Sequence, residues 1–193
     1  DTGSAAIDGV KGCKNVDIVI LYPNGRVSDV QRRQMTTITS PNVHTVAVDG
    51  TFDDCQDLVK AMFNDAPFRE ANSLSAVNSI NWARVMAQTV YYFTALETLD
   101  RSASFSVPTG NFGNVLAGWI AKQMGADIEK LIVGSNSNDI LTRFFETHSM
   151  DMVPVVPTLS PSMDIQISSN FERLLFDMNN RDGGATTEQL SQF

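Results

Sequence analysis

Cysteine is scarce. The chain holds two, Cys13 and Cys55, in 193 residues. Two thiols cannot build a disulfide framework, so each reads as a reduced core or turn thiol, and a cytoplasmic location is the expectation. Histidine is equally sparse. His44 and His148 have no ligand spacing around them, and His44 alternates with apolar neighbours as a structural residue would, so the sequence offers no metal site. Basic residues are outnumbered, 14 against 22 acidic, for a net charge of −8. That balance argues against nucleic acid or an anionic membrane surface as a partner, since both need a basic face. Long apolar runs are missing too, so no segment spans a bilayer. No signal peptide opens the chain, and the first residues enter a helix-forming stretch almost at once, which reads as a start inside a larger protein.

What is present is the composition of an ordinary globular protein, 42% hydrophobic and 19% charged, long enough for one or two domains. Residues 4–10 read as a short helix ended by Gly12. Residues 17–22 are a continuous β-branched run that reads as a buried strand, and residues 43–48 read as the next strand. Between them Ser28 and Gln31 form a capping-box signature for a helix to about Ile38. Thr51 with Asp54 opens another helix, with Cys55, Leu58, Val59 and Met62 expected inward. Strand–helix alternation predicts parallel pairing in an α/β fold, parallel sheets flanked by helices. A looser polar stretch, Pro67 to Ser75, suggests a domain boundary, giving residues 1–75 and 76–193. The longest helix should run from about Ala83 to Leu99, with Trp82, Val85, Met86, Val90, Phe93 and Leu96 on one face. Later come a strand at 130–134, a helix carrying Ile140, Leu141, Phe144 and Phe145, a strand or edge segment at 152–156, and a loop at 160–164. A helix capped by Ser169 or Asn170 follows, with Leu174, Leu175 and Met178 inward. Residues 179–193, with few large apolar side chains, are expected to form a surface excursion or to be poorly ordered.

The most informative stretch is Ser106 to Gly118. An apolar strand, a Pro108-Thr109-Gly110-Asn111-Phe112-Gly113 turn and a helix with Val115, Leu116, Trp119, Ile120 and Met124 at helical spacing follow one another. The first N–H groups of a helix lack intrahelical partners and lie at its positive end. Glycines at 110 and 113 let the main chain approach a ligand, so a phosphate could sit there without a lysine. The plainer reading is a strand-to-helix connection that binds nothing. The pattern is neither the dinucleotide fingerprint G-x-G-x-x-G nor a triphosphate loop ending in Gly-Lys-Ser/Thr. A second polar cluster, Asn78, Ser79, Asn81 and Arg84, crowds the start of the long helix. An arginine there opposes the helix dipole unless an anion shares the site; pairing with Glu70 or another carboxylate is the bland alternative. Asp1-Thr2-Gly3 is another turn into a helix, in which Asp1 either caps the helix or faces a ligand.

Four blocks carry a family resemblance: Asp1 to Ala6, Asn78 to Arg84, Val107 to Asn114, and Pro161 to Ile165 with Ser169 to Phe176. In order and spacing they resemble threonine synthase of the bacterial and fungal type, an enzyme dependent on pyridoxal 5'-phosphate (PLP) with the type II fold shared with the tryptophan synthase β chain. The resemblance implies an internal fragment of both domains, with residues 1–75 part of the smaller α/β domain and 76–193 part of the large PLP-binding domain. It implies that Gly110, Asn111, Phe112, Gly113 and Asn114 hold the cofactor phosphate and that Asp1, where family members more often have Asn, faces the cofactor ring. Thr2, Ser79, Arg84 and Asn111 are implied to hold the phosphate of the substrate, O-phospho-L-homoserine. An arginine fork suits that dianion through two parallel charge-assisted hydrogen bonds.

The implied reaction eliminates phosphate from the γ carbon and adds water at the β carbon, giving L-threonine. It needs a Schiff-base lysine. None of Lys11, Lys14, Lys60, Lys122 and Lys130 stands in the family's Phe-Lys-Asp setting, so that lysine is expected before residue 1 and the chain is expected to be inactive alone. The pyridine-nitrogen partner is expected beyond residue 193. Two alternatives remain at this stage: another type II lyase or dehydratase acting on a (phospho)amino acid, and a non-catalytic threonine-synthase-like binding protein.

Overall fold

Helix and strand alternate through the computed structural model, which describes residues 2–191. The chain divides into two compact units, Asp1–Val77 and Asn78–Phe193.

The first unit contains α1 (Thr2–Val10), β1 (Ile18–Pro23), α2 (Asp29–Thr36), β2 (Val43–Val48), α3 (Phe52–Asn64) and α4 (Ala66–Ala71). β1 and β2 pair in parallel, from Ile18 opposite Val43 to Pro23 opposite Val48. Parallel neighbours require a crossover, which α2 supplies. The expected capping box at Ser28 forms, and so does one at Thr51. Ser28 Oγ accepts from the Gln31 N–H at 3.2 Å while Gln31 Oε1 accepts from the Ser28 N–H at 3.4 Å. Thr51 and Asp54 do the same at the start of α3, and the Thr51 N–H and hydroxyl hold the Asp54 carboxyl below the usual carboxylate range. Ile7, Ile18 and Met35 form the buried centre. Gly3 permits this packing, because a Cβ there would stand 2.9 Å from Met35 Sδ. Buried Asn42 ties the α1–β1 connection to β2: its Nδ2 donates to the carbonyls of Val10 at 2.9 Å and Val16 at 2.8 Å, and its Oδ1 accepts from the Gly12 N–H at 3.0 Å. Two expectations change here. Leu58 faces solvent, leaving Cys55 as the buried apolar residue of α3. The polar stretch after Asn64 begins with α4, because Asp65 caps it by accepting from the Phe68 N–H at 3.0 Å and Pro67 suits its first turn.

The second unit contains α5 (Trp82–Leu99), β3 (Ala103–Pro108), α6 (Gly113–Gln123), β4 (Ile128–Gly134), α7 (Ile140–Thr147), α8 (Phe171–Met178) and α9 (Gly183–Ser191), with a 3-10 turn at Pro161–Met163. β3 and β4 are again parallel, Phe105 opposite Leu131 through Pro108 opposite Gly134, with α6 as the crossover. Val85, Tyr92, Val107, Val115, Leu116, Phe144 and Phe171 are among its buried core residues. The Phe171 ring meets Phe112 and Phe144 edge-on, at 5.3 and 4.9 Å between centroids.

Four details depart from the periodicity reading. α5 buries Val85, Thr89 and Tyr92, while Trp82, Met86, Val90 and Phe93 are exposed. Met124, Phe145 and Met178 are also exposed. Residues 152–156 form no strand. Instead the Asn138 side chain stands in for a neighbouring strand, its Nδ2 donating to the Val156 carbonyl at 2.8 Å and its Oδ1 accepting from the Val156 N–H at 2.9 Å. In the C-terminal stretch α9 forms on an Asp182 cap, with the Ala185 N–H donating to Asp182 Oδ1 at 3.0 Å and Asn179 Nδ2 donating to Gln189 Oε1 at 2.7 Å. No helix among the described residues is long and apolar enough to cross a membrane, and these residues hold no cluster of metal-ligating side chains.

Candidate functional site

The site grows from the end of β3. The Thr109 N–H makes the last ladder bond, to the Gly134 carbonyl at 2.8 Å, and its hydroxyl donates to the Val107 carbonyl at 2.6 Å. The backbone then reverses. Phe112 adopts a left-handed conformation, φ 61° and ψ 9°, which costs a non-glycine residue on the order of 1 kcal/mol. Burial of its ring, 3% exposed, against Phe171 holds it there. A left-handed residue leading into a right-handed helix gathers successive N–H groups into a concavity suited to an anion. α6 has no side-chain cap. Among the described residues, no protein acceptor meets the backbone N–H groups of Gly110, Asn111, Phe112, Gly113 or Asn114.

The two glycines are pressed by neighbours. A Cβ on Gly113 would stand 3.1 Å from Ser79 Cβ and 3.6 Å from Asn170 Nδ2, and one on Gly110 would stand 3.2 Å from the Met163 Cα and the Ser162 carbonyl oxygen. The second unit therefore seats Ser79 directly against the turn. Gln88 Oε1, buried and without a hydrogen-bond partner, also borders Gly113. The two asparagine side chains have their oxygens engaged. Ser169 Oγ donates to Asn111 Oδ1 at 3.2 Å, and the Tyr92 hydroxyl lies 2.7 Å from Asn114 Oδ1 and 2.8 Å from the Asn114 carbonyl. Each amide then has only its NH2 group left to offer, a donor. Burial pushes the Tyr92 phenol up to about 12, which keeps it a donor across the physiological range.

Arg84 lies half-buried in the first turn of α5, after Asn81, whose Oδ1 accepts from the Ala83 N–H at 3.0 Å. Asn78 Oδ1 accepts from the Ile80 N–H at 3.2 Å and shapes the approach. Thus Ser79, Arg84 and Gly110–Asn114 belong to one unit. Thr2 opens α1 in the other unit, and Asp1 lies outside the described residues. Lys11, Lys14, Lys122 and Lys130 are exposed, and Lys60 pairs with Asp57 at 3.4 Å. Cys13 is exposed and Cys55 buried, both as free thiols, and burial pushes the Cys55 thiol up. Tyr92, Ser168, Asn170 and Arg173 are site neighbours that the sequence did not assign to the turn. Asn170 and Arg173 fall in the Ser169-to-Phe176 block, whereas Tyr92 and Ser168 carried no sequence signal.

A parallel strand, a glycine-bearing turn and a helix start whose amides meet no protein acceptor among the described residues define a parallel α/β protein with a candidate ligand turn. No family model matches the chain. It is 57% identical, over 196 aligned residues, to threonine synthase of Pseudomonas aeruginosa, and the alignment takes in 100% of this chain and 42% of that protein. The crystal structure of PLP-bound threonine synthase from Brucella melitensis matches 97% of this chain and 41% of its own, with a TM-score of 0.83 at 59% identity. Threonine synthase from Escherichia coli matches 94% of this chain and 44% of its own, with a TM-score of 0.86 at 37% identity. By sequence and by fold, the chain belongs to the threonine synthase family, with the type II α/β fold. It spans about two fifths of the length of the curated relatives it matches.

Proposed function

We propose that the full-length protein containing this chain is a threonine synthase of the cytoplasm, a PLP-dependent carbon–oxygen lyase that converts O-phospho-L-homoserine and water to L-threonine and phosphate. The observation that carries this reading is the run of backbone N–H groups from Gly110 to Asn114 that meet no protein acceptor among the described residues, on a turn whose glycines would bring a Cβ within 3.1–3.2 Å of neighbouring atoms. The donor set is neutral, dense and free of carboxylates, which fits a phosphate ester dianion. PLP, when bound, supplies a ring that accepts the electrons released as C–H bonds beside it break.

The residues have separate tasks. Gly110, Phe112 and Gly113 offer main-chain donors to the cofactor phosphate, and Asn111 and Asn114 add side-chain amides whose oxygens are already engaged. Ser79 and Arg84, with Asn111, hold the substrate phosphate. As the γ C–O bond breaks, charge builds on the departing phosphate, and the Arg84 fork and the Ser79 hydroxyl stabilise it more in the transition state than in the bound substrate. The Schiff-base lysine comes from another part of the full-length protein, because the five lysines here are surface residues. The chain alone is therefore inactive.

Phosphate release from O-phospho-L-homoserine by the PLP-loaded full-length protein tests the reading. Release with matching L-threonine formation is the expected result, and Arg84→Ala should lower kcat/KM at least tenfold, about 1.4 kcal/mol, with PLP affinity little changed. No release by loaded wild-type protein would overturn the activity, and an unchanged kcat/KM would remove Arg84 from the site.

A further inference from the structure

The start of α8 does more than begin a helix. Asn170 is 0% exposed, and the Asn111 carbonyl accepts from it twice, from its backbone N–H at 3.2 Å and from its Nδ2 at 2.9 Å. The Asn170 Oδ1 in turn accepts from Arg173 Nη1 at 3.0 Å. The same guanidinium donates to the Ser79 carbonyl at 3.4 Å through Nη1 and to the Ile80 carbonyl at 2.6 Å through Nη2. Two turns far apart in sequence, at residues 79–80 and 110–111, thus share one Asn–Arg pair. Ser168 Oγ adds a bond to the Gly110 carbonyl at 2.8 Å and reaches only that turn.

Two physical points give this arrangement a purpose. A helix-capping asparagine satisfies its own helix, whereas the Asn170 side chain makes no cap bond and spends its amide on another segment. The Arg173 guanidinium is half-buried on carbonyl oxygens, with no carboxylate in ion-pair range among the described residues. Among the described residues its charge therefore has no carboxylate beside it, and partial burial makes that charge count. A cation bonded to the 79–80 carbonyls, and through Asn170 to the 110–111 turn, favours an anion at either.

We propose that Asn170 and Arg173 are positioning residues that clamp the Ser79–Ile80 turn to the Gly110–Asn111 turn, so that the phosphates of two different ligands are held in register by one device. The proposal rests on the reading of these turns as substrate-phosphate and cofactor-phosphate sites. Its consequence is coupling. Loosening the clamp costs affinity for both ligands, because each must then reorder its own turn on binding. Loosening the Gly110 end alone, which Ser168 holds and which serves the cofactor only, costs affinity for one.

The test uses the full-length protein with Arg173→Lys, Arg173→Met and Ser168→Ala. Arg173→Lys keeps the charge and loses the fork, and it carries the test if Arg173→Met does not fold. In folded Arg173→Lys, judged by an unchanged far-UV circular dichroism spectrum, the PLP Kd and the KM for O-phospho-L-homoserine should each rise at least fivefold. Ser168→Ala should raise the PLP Kd alone and leave the KM within twofold, a split that general destabilisation does not produce. Hydrogen–deuterium exchange without ligand gives a readout independent of activity. Exchange at 79–81 and at 111–114 should quicken together in Arg173→Lys. Both constants within twofold of wild type would overturn the clamp. If wild-type protein neither binds PLP nor releases phosphate, the functional reading has failed, and the clamp is judged by exchange alone: faster exchange in both segments supports it, and in one or neither overturns it.

Discussion

Tyr92 and Asn114 illustrate how single residues set the chemistry of the turn. The phenol donates to Asn114 and is buried beneath α6, so it resists ionisation to about 12 against an ordinary value of 10. The unfolded chain ionises this group more easily, so its contribution to stability is intact below pH 10 and is lost as pH rises from 10 to 12. Urea unfolding of the full-length protein should therefore show a steep alkaline loss of stability in that window. Tyr92→Phe should remove on the order of 2 kcal/mol of that pH dependence, while lowering stability at neutral pH by about 1 kcal/mol for the lost hydrogen bond. An unchanged alkaline slope in the variant would mean that Tyr92 titrates normally. Asn111 and Asn114 were legible in the sequence as candidate ligand residues. The orientation of their amides was not, because it depends on Ser169 and Tyr92, 58 and 22 residues away.

At the level of elements, α5 shows where periodicity stops being informative. Trp82, Val85, Met86, Val90, Tyr91, Tyr92, Phe93 and Leu96 surround the helix, so more than one face is apolar enough to bury. Its neighbour decides. Gly118 on α6 leaves a slot in which the Tyr92 ring lies so close that a Cβ at 118 would stand 2.7 Å from Tyr92 Cζ and 2.8 Å from Leu131 Cδ2. That slot selects Val85, Thr89 and Tyr92 as the buried seam. Gly118→Ala should force α5 away from α6 and cost about 1–3 kcal/mol, as overpacking does elsewhere. Thermal unfolding with no loss of stability would show that the helices can shift without cost. Local signals served better where the interaction was itself local: the capping box at Ser28 and the helix start at Thr51 formed as the sequence spacing required. The helix at Gly183–Ser191 was missed because its start depends on a single capping aspartate rather than on an apolar face.

For the molecule as a whole, the proposed cofactor site at residues 110–114 implies that ligand binding is coupled to folding. PLP at about a hundred times its Kd should stabilise the full-length protein by roughly 2.7 kcal/mol, through binding the folded form alone. Urea unfolding with and without PLP measures this, and a coincident pair of curves would remove the cofactor from the reading. The amino-acid sequence by itself determined the strand–helix alternation, the parallel pairing, the capping boxes and the glycine-bearing turn, because each arises from contacts between residues a few positions apart or from simple apolar patterning. Only the tertiary structure decided which face of α5 is buried, which way the asparagine amides point, and that one Asn–Arg pair ties residues 79–80 to 110–111. Those outcomes depend on groups brought together across many tens of residues, and one-dimensional spacing holds no record of such distances.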